Sequence, residues 1–349
     1  MKIFILRLTV FLLVLLLVEV SISSCSSYYE GNPWYKAKIE FLHADTPPLN
    51  LDLVIFGSSR MYRQFDPRVF DSTWYELQSK KIRSFNLGAP ATFCPQTYHL
   101  FESFLESPDS DSLKTVIIEL LEVDMISESL MHEERTIYYQ NPREVVFALN
   151  AIWSREDMSF QNKIGPTSRY LISGLENLIN IGQYGKELLR RDSTSEFFVG
   201  PARDGFLSLD EDMASNPDQL VRLNQEQRMN NLEKDIEVIE RRALESEHTD
   251  LGFESCSLPE CHRVQELIDK ADEKNIQLIF LLPPRNVSPH LIQIFQSIPH
   301  QHRIDLSSSI TYPQFYAIQN SFDIGHLNEK GSELFTIEIA NKLASLYNN

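Results

Sequence analysis

The chain has 349 residues, of which 42% are hydrophobic, and its formal net charge at pH 7 is −17. This length allows one large domain with insertions or two small ones, and the composition is that of a globular protein with a sizeable core. Because a strongly negative protein repels phosphate backbones, we expect no nucleic-acid partner.

Residues 1–24 have the features of a membrane anchor or a secretion signal. Lys2 and Arg7 precede a run over 8–18 that contains a single polar residue. The short run suits a cleaved signal, whereas its extension over 3–22 reaches about the 20 residues that span a bilayer. Positive charges ahead of the segment place the rest of the chain outside the cytoplasm.

Cys25 gives the N-terminus a further interpretation. Ile22-Ser23-Ser24-Cys25 resembles a bacterial lipobox, in which the cysteine is lipidated after cleavage. We therefore expect a protein attached to the membrane and facing outside the cytoplasm, through a single N-terminal helix or through lipidated Cys25. Full release and a buried helix of a cytosolic protein are the alternatives.

The α/β domain is predicted over 25–349. A polar and aromatic stretch, 23–50, overlaps its start, and we interpret this stretch as a linker from the membrane segment. Apolar runs then predict buried parallel strands, the first of which, 51–56, ends at Gly57. The predicted strands are 51–56, 81–87, 115–120, 276–282 and 303–306. Apolar residues at helical spacing predict helices at 96–105, 263–274 and 329–346. This alternation predicts an α/β fold, a flavodoxin-like three-layer sandwich with a parallel sheet.

The middle of the chain, about 130–250, differs from its flanks. It is charged and helix-like, and it lacks convincing buried strands. We interpret it as a helical insertion into the α/β domain, and within it we predict one long polar helix over 224–247.

Cysteine and histidine spacing indicates no metal or cofactor site. Cys256 and Cys261 are spaced to close a small disulfide loop in an oxidising compartment, and two free thiols are the alternative. His300 and His302 lie close together but lack the further ligands that a zinc site requires.

Residues suited to acyl transfer lie where the predicted strands end. In an open parallel sheet the active site forms at the carboxyl ends of the strands. Ser59 follows the first strand, and Asp323 and His326 lie three residues apart before the last helix. A serine hydroxyl needs a base to take its proton, histidine is that base near neutral pH, and a carboxylate orients the imidazole. We therefore predict Ser59, His326 and Asp323 as a catalytic triad.

The oxyanion formed in such a reaction needs N–H donors. We predict the backbone N–H groups of Ser59 and Gly88, at the ends of neighbouring strands, as these donors. Arg60 and Arg63 are candidates for substrate binding, with a role as surface charges as the alternative.

These blocks resemble the SGNH, or GDSL-type, hydrolase superfamily. Gly57-Ser58-Ser59 stands where that superfamily has Gly-Asp-Ser, Gly88 matches its second-block glycine, and Asp323-x-x-His326 matches its last block. The resemblance is greatest to a membrane-anchored branch, the D-alanine-transfer protein of teichoic-acid pathways and the alginate-type O-acetyltransferases. Those proteins work outside the membrane, often beside a multi-spanning O-acyltransferase.

The third block departs from the superfamily pattern. An asparagine that donates to the oxyanion is normal there, whereas this chain has Glu119-Leu-Leu-Glu122-Val-Asp124. An ionised glutamate cannot donate a hydrogen bond. Either backbone donors alone form the oxyanion hole, or another group fills the gap.

Two functions lead among those that this pattern allows, and a soluble substrate-binding domain without chemistry is a third. The first is an extracytoplasmic serine esterase or O-acyltransferase that acts on a cell-envelope glycan through a Ser-His-Asp triad. The alternative is a non-catalytic or weakly catalytic glycan-binding partner of a membrane O-acyltransferase. Acyl-ester substrates or envelope polysaccharides are the expected ligands in both cases.

Overall fold

The structure is a computed structural model that describes residues 2–23, 31–44, 49–123, 126–179, 196–245, 256–285 and 287–348. A helix, α1 (Lys2–Ser23), begins the chain. Within the described part of the chain, no helix combines the length and the apolar character that crossing a membrane requires. Cys25, and with it the predicted lipidation, lies outside the described residues.

Part of the predicted linker is a packed helix, α2 (Pro33–Ala44), so that prediction is wrong for these residues. Pro33 occupies the first helical position, where its missing N–H costs nothing. Tyr35 and Ile39, one turn apart, are buried, and the Tyr35 ring contacts that of Phe56. The helix forms because this apolar face covers the sheet, a tertiary contact that its proline-rich surroundings do not reveal.

Five parallel strands form one sheet, which confirms the predicted α/β class. The strands are β1 (Leu53–Phe56), β2 (Ser84–Asn86), β3 (Thr115–Glu119), β4 (Gln277–Leu282) and β5 (Arg303–Asp305). Their order across the sheet is β2-β1-β3-β4-β5. Each predicted strand is present and one to four residues shorter than predicted, and β1 is an interior strand.

Helices cover both faces of the sheet. Within the described residues they are α3 (Ser59–Gln64), α4 (Pro67–Gln78), α5 (Gln96–Leu105), α6 (Glu134–Ile137), α7 (Pro142–Ser154), α8 (Phe160–Ile179), α9 (Leu209–Ser215), α10 (Gln219–Asn231), α11 (Ile236–Glu245), α12 (Pro259–Glu273), α13 (Pro289–Ser297) and α14 (Glu329–Asn348). Val54 and Phe56 enter a core with α2, α5, α7, α12 and α13. Leu53 and Ile55 enter a second core with α3, α4, α11 and α14. Alternate strand residues thus fill two cores, as expected for a sheet buried on both sides.

The described residues between 130 and 250 form helices and short turns without a strand. The single polar helix predicted over 224–247 is wrong, because α10 ends at Asn231 and a 3₁₀ turn (Leu232–Asp235) separates it from α11. The turn redirects the chain: α10 packs on α9, whereas α11 reaches the second core through Ile239. Residues 246 and 247 lie outside the described residues.

Cys256 and Cys261 form a disulfide, the first of the two predicted alternatives, whereas Cys94 is free and buried. His302 is buried, and its Nδ1 lies 2.8 Å from the backbone oxygen of Leu278. That ring nitrogen is therefore engaged in a hydrogen bond that stabilises the fold.

Candidate active site

The sheet has a switch point between β1 and β3. The chain leaves β1 for β2 on one side and returns to β3 on the other, so the connections diverge there. In open α/β sheets, ligands bind in the crevice outside the carboxyl ends of the strands at such a point. Ser59, which follows β1, lies at this crevice.

A tight turn carries Ser59 from β1 into α3. A Cβ at Gly57 would lie 2.3 Å from Met61 Cγ and 2.6 Å from Glu119 Oε2, so no side chain fits at position 57. Ser58 caps α3, because its hydroxyl accepts a hydrogen bond from the Arg60 N–H at 3.2 Å. Ser59 is the first residue of the helix, where a backbone N–H has no intrahelical acceptor. The turn thus presents both the Ser59 hydroxyl and its N–H.

The structure brings the three predicted triad residues together. Ser59 Oγ lies 2.9 Å from His326 Nε2. The other ring nitrogen, Nδ1, lies 3.0 Å from Asp323 Oδ1. Serine and carboxylate therefore contact opposite nitrogens of one imidazole, which is the arrangement in which histidine can take the serine proton.

Backbone donors fix the carboxylate of Asp323. The N–H groups of Gly325 and His326 donate to its Oδ1 at 2.7 and 2.8 Å. Arg285, which follows β4 and is almost completely buried, donates from Nη1 to the backbone oxygen of Asp323 at 3.0 Å. Its other nitrogens bind the carbonyl of Phe315 and the hydroxyl of Ser321. Sequence reasoning missed Arg285, whose only signal was a charged residue that follows the buried strand β4 after two prolines.

The surroundings favour a neutral imidazole and an ionised carboxylate. Burial lowers the pKa of His326 most, Asp323 opposes that effect, and the charges of Arg228 and Arg63 lower the pKa further. Burial alone would raise the pKa of Asp323, but the hydrogen bond from His326 and the charges of His326 and Arg228 hold it well below its usual range. At neutral pH the histidine is therefore a free base beside a charged carboxylate.

Arg228 on α10 is a site residue that sequence reasoning did not find. Its guanidinium forms an ion pair with Asp323 Oδ2, and the same Nη2 atom lies 3.0 Å from His326 Nδ1. Nothing in the pattern of a polar helix indicates this contact, because the two segments are about 95 residues apart in sequence.

The predicted oxyanion role of Gly88 is wrong in this structure. The Gly88 N–H donates to Asn86 Oδ1 at 2.9 Å, so it is not directed into the space beside Ser59. Asn86 is fully buried and also donates to the backbone oxygens of Met61 and Phe65 in and after α3. A Cβ at Gly88 would lie 2.6 Å from the Tyr62 nitrogen. Gly88 therefore allows α3 to pack closely against the end of β2.

Glu119, the first residue of the segment in which we expected an asparagine, anchors the turn that carries the nucleophile. Glu119 is fully buried at the end of β3, where its Oε2 accepts a hydrogen bond from the Ser58 N–H at 2.6 Å. Its Oε1 lies 2.6 Å from Arg60 Nε. Arg60 also donates from Nη1 to the backbone oxygen of Arg285 at 2.9 Å. Because these contacts bury Arg60, the prediction that it binds substrate is wrong.

Arg63 lies at the candidate cleft but is already paired. Its Nη2 contacts Asp212 Oδ2 at 2.6 Å, and its Nη1 donates to the Leu207 carbonyl at 3.1 Å. Asp212 is buried and also accepts a hydrogen bond from Gln225 at 2.6 Å. Arg63 thus joins α3 to α9 and α10, and its charge is largely compensated.

A cleft of about 550 Å³ opens beside the triad, and we call it the triad cleft. Among its lining residues are Ser59, His326, Arg63, Arg228, Asp218 and the aromatic side chains of Trp34, Tyr62 and Phe198. A larger groove of about 1100 Å³ shares Phe197 with it and is lined by α2, α9 and the turn around Gly200. Together they provide an extended, partly aromatic surface beside the nucleophile.

Comparisons with known proteins add no family. No protein-family model matches the chain, and no similar curated protein or solved structure was found.

Proposed function

We propose that this protein is an extracytoplasmic serine esterase or O-acyltransferase that acts on a cell-envelope glycan. The observation that carries the proposal is the contact of Ser59 and Asp323 with opposite nitrogens of His326, at 2.9 and 3.0 Å. The strand order 2-1-3-4-5 supports a flavodoxin-like sheet of the SGNH type, in which the site lies at the observed switch point.

The reaction proceeds in two acyl transfers. Ser59 Oγ attacks the carbonyl carbon of an acyl ester while His326 Nε2 takes its proton, and the Ser59 N–H donates to the oxyanion. Collapse of the tetrahedral intermediate breaks the ester bond, and the leaving oxygen receives that proton from His326. A water or a sugar hydroxyl then gives its proton to His326 and attacks the acyl-serine. The bond between the acyl carbon and Ser59 Oγ breaks, and Ser59 Oγ takes that proton back from His326, which leaves the neutral imidazole and the free serine.

The shape of the site favours a carbohydrate carrier for the acyl group. Trp34 and Phe198 present partly exposed ring surfaces in the cleft that Ser59 also lines, and the adjoining groove extends this surface beyond the size of a simple ester. Aromatic faces bind the C–H faces of sugars, while polar side chains at the rim bind hydroxyls.

We also propose attachment to the outer face of the cytoplasmic membrane, near a multi-spanning O-acyltransferase. Apolar side chains of α1, such as Phe4 and Leu17, are exposed rather than packed in a core. Fractionation of cells that express the full chain tests the location. Release after Cys25→Ala supports a lipid, retention supports the helix, and a wild-type protein recovered in the cytosol contradicts both.

One observation favours the alternative, a weakly catalytic glycan-binding partner. With the Gly88 N–H bound to Asn86, Ser59 supplies the only oxyanion donor identified among the described residues. Loss of one such donor costs about 100- to 1000-fold in rate in other serine enzymes.

Turnover of an acetyl ester separates the two functions. The wild type and Ser59→Ala are each incubated with 4-nitrophenyl acetate and an envelope oligosaccharide, and nitrophenolate and acetylated sugar are both quantified. Ser59-dependent release supports the enzyme, and acetylated sugar identifies transfer rather than hydrolysis. Oligosaccharide binding that is the same for both proteins, without turnover, supports the binding partner.

A further inference from the structure

Arg228 reaches the triad from a helix, rather than from the end of a strand. It lies on α10, and its guanidinium contacts both Asp323 and His326. The Arg228 side chain is 45% exposed, whereas the Asp323 side chain is 5% exposed. Within the described residues, the hydrogen bonds of this side chain are made by Nη2, and its Nε and Nη1 have no hydrogen-bond partner.

His326 Nδ1 has two neighbours that require different tautomers. If Nδ1 carries the proton, it donates to Asp323, and Nε2 is free to accept the proton of Ser59. If Nδ1 accepts from Arg228, the proton is on Nε2, and the imidazole cannot act as base toward Ser59. Asp323 and Arg228 therefore compete for the same ring nitrogen.

The other charges around the imidazole are fixed by separate partners. Arg63, on α3, is paired with Asp212. Arg285, after β4, binds the backbone oxygen of Asp323 rather than its carboxylate. Asp218, at the start of α10, lines the cleft and accepts hydrogen bonds from its own helix. Among the residues that the structure describes, Arg228 is thus the cation that contacts both the imidazole and its carboxylate partner.

We propose that Arg228 is a positioning residue that sets the proton affinity and the tautomer of His326. This inference rests on the proposed function of the triad. The Asp323 carboxylate does not depend on Arg228 for its position, because the N–H groups of Gly325 and His326 also hold it. Removal of Arg228 therefore leaves the carboxylate in place and removes a cation that opposes protonation of the ring.

Histidine NMR tests the proposal without any substrate. The protein is labelled with ¹³C and ¹⁵N in histidine, and the His326 signal is assigned with His326→Gln. In Arg228→Ala we expect its titration midpoint to move to higher pH and the proton of the neutral ring to shift toward Nδ1. Arg228→Lys keeps a cation and should stay close to the wild type.

Arg222→Ala is the matched control, because Arg222 lies on the same helix and is exposed without a side-chain partner among the described residues. It removes the same charge and should leave the His326 midpoint unchanged. A midpoint in Arg228→Ala that equals that of the wild type would overturn the proposal, as would an equal shift in Arg222→Ala.

The pH dependence of turnover provides the second readout. In Arg228→Ala, the midpoint of the acid limb of kcat/KM should move to higher pH, so that kcat/KM at pH values below the new midpoint is several-fold lower than in the wild type. Reduced activity with an unmoved limb would mean that Arg228 is merely structural. Absence of Ser59-dependent turnover in the wild type would reject the proposed enzyme, whereas the NMR titration would still decide the role of Arg228.

Discussion

The Ser58 N–H and Glu119 Oε2 are joined by a hydrogen bond of 2.6 Å, which connects the turn after β1 to the end of β3. Glu119 also pairs with Arg60, one residue beyond Ser59. Glu119, in the segment where the resemblance led us to expect an asparagine, therefore holds the residues on both sides of the nucleophile. Its charge is compensated, and its contribution is to position Ser59 rather than to bind the oxyanion.

Removal of this glutamate should destabilise the protein. Glu119→Ala leaves the buried guanidinium of Arg60 without its partner, and loss of one member of a buried ion pair costs about 3–5 kcal/mol. Glu119→Gln should cost less, because an amide oxygen can still accept from Ser58. Urea unfolding measures both. Glu266→Ala removes a carboxylate with a mostly exposed side chain and serves as the control; a loss for Glu119→Ala no larger than for this control would contradict the assigned role.

A side chain at position 88 should displace α3. The Cβ of Gly88→Ala would lie 2.6 Å from the Tyr62 backbone nitrogen, which cannot yield without moving the helix that carries Ser59. Overpacking of this kind costs about 1–3 kcal/mol, and we expect kcat to fall as well. In Gly165→Ala, in α8, the new Cβ would lie 3.5 Å from Arg169 Nη1, an ordinary contact, and the change should stabilise the protein by up to about 1 kcal/mol. Thermal melts and esterase assays measure these effects, and an unchanged melt for Gly88→Ala would show that the close contact is unimportant.

The triad residues should act as a unit. Ser59→Ala and His326→Ala should each remove nearly all turnover, and the double variant should be little worse than either. Asp323→Asn should cost less, because the histidine remains and is held less well. The measurement is kcat/KM on a simple acyl ester, with a thermal melt to verify folding. Additive losses in the double variant would mean that the serine and the histidine work independently.

The pH dependence of the reaction follows from His326. The reaction needs the neutral imidazole, and burial together with neighbouring cations lowers the pKa of His326 below 6.5. Activity should therefore be constant from neutral pH into the mildly acidic range and fall only as the pH drops through the lowered pKa. A kcat/KM profile in buffers of equal ionic strength measures this limb. A midpoint of the acid limb above pH 6.5 would contradict the conclusion that burial and neighbouring cations lower the pKa of His326.

Ionised Asp323 should contribute to the free energy of unfolding, and this contribution should be lost at low pH. Its pKa is lower in the folded state than in the unfolded chain, so its stabilising contribution is present above the unfolded pKa of about 4 and is lost as the pH falls toward the folded value. Urea unfolding of the wild type and Asp323→Asn between pH 3 and pH 7 measures it. The stability difference between the two should shrink at low pH, and a constant difference would argue against the depressed pKa.

The sheet could be predicted from the sequence because its strands are continuous apolar runs. A strand buried on both faces, such as β1, needs no alternation, and Gly57 defines its end. Ser59 was predicted from the rule that sites form at the carboxyl ends of parallel strands, and Asp323 and His326 were predicted from the chemistry of a triad and the resemblance of their block. The helix α2 was not predicted, because it packs against the sheet through a contact between the rings of Tyr35 and Phe56, which are far apart in sequence.

The polar contacts of the site were harder to predict than its nucleophile. Arg60, Glu119 and Asn86 are all buried, and their partners come from other segments of the chain. Residue type alone did not distinguish Arg60, which is part of the structure, from Arg228, which contacts the triad. The engagement of the Gly88 N–H by Asn86 likewise depends on a side-chain rotamer that sequence does not specify.

The most direct test of the catalytic assignment is covalent labelling with a fluorophosphonate, which reacts with an activated serine. Intact-mass analysis gives the stoichiometry, and peptide mapping gives the site. The matched control is Ser58→Ala, which removes the neighbouring hydroxyl and keeps the nucleophile. The catalytic assignment predicts one label on Ser59 in the wild type and in Ser58→Ala, and none in folded Ser59→Ala or His326→Ala. Equal labelling of folded Ser59→Ala, or no labelling of the folded wild type, would contradict it.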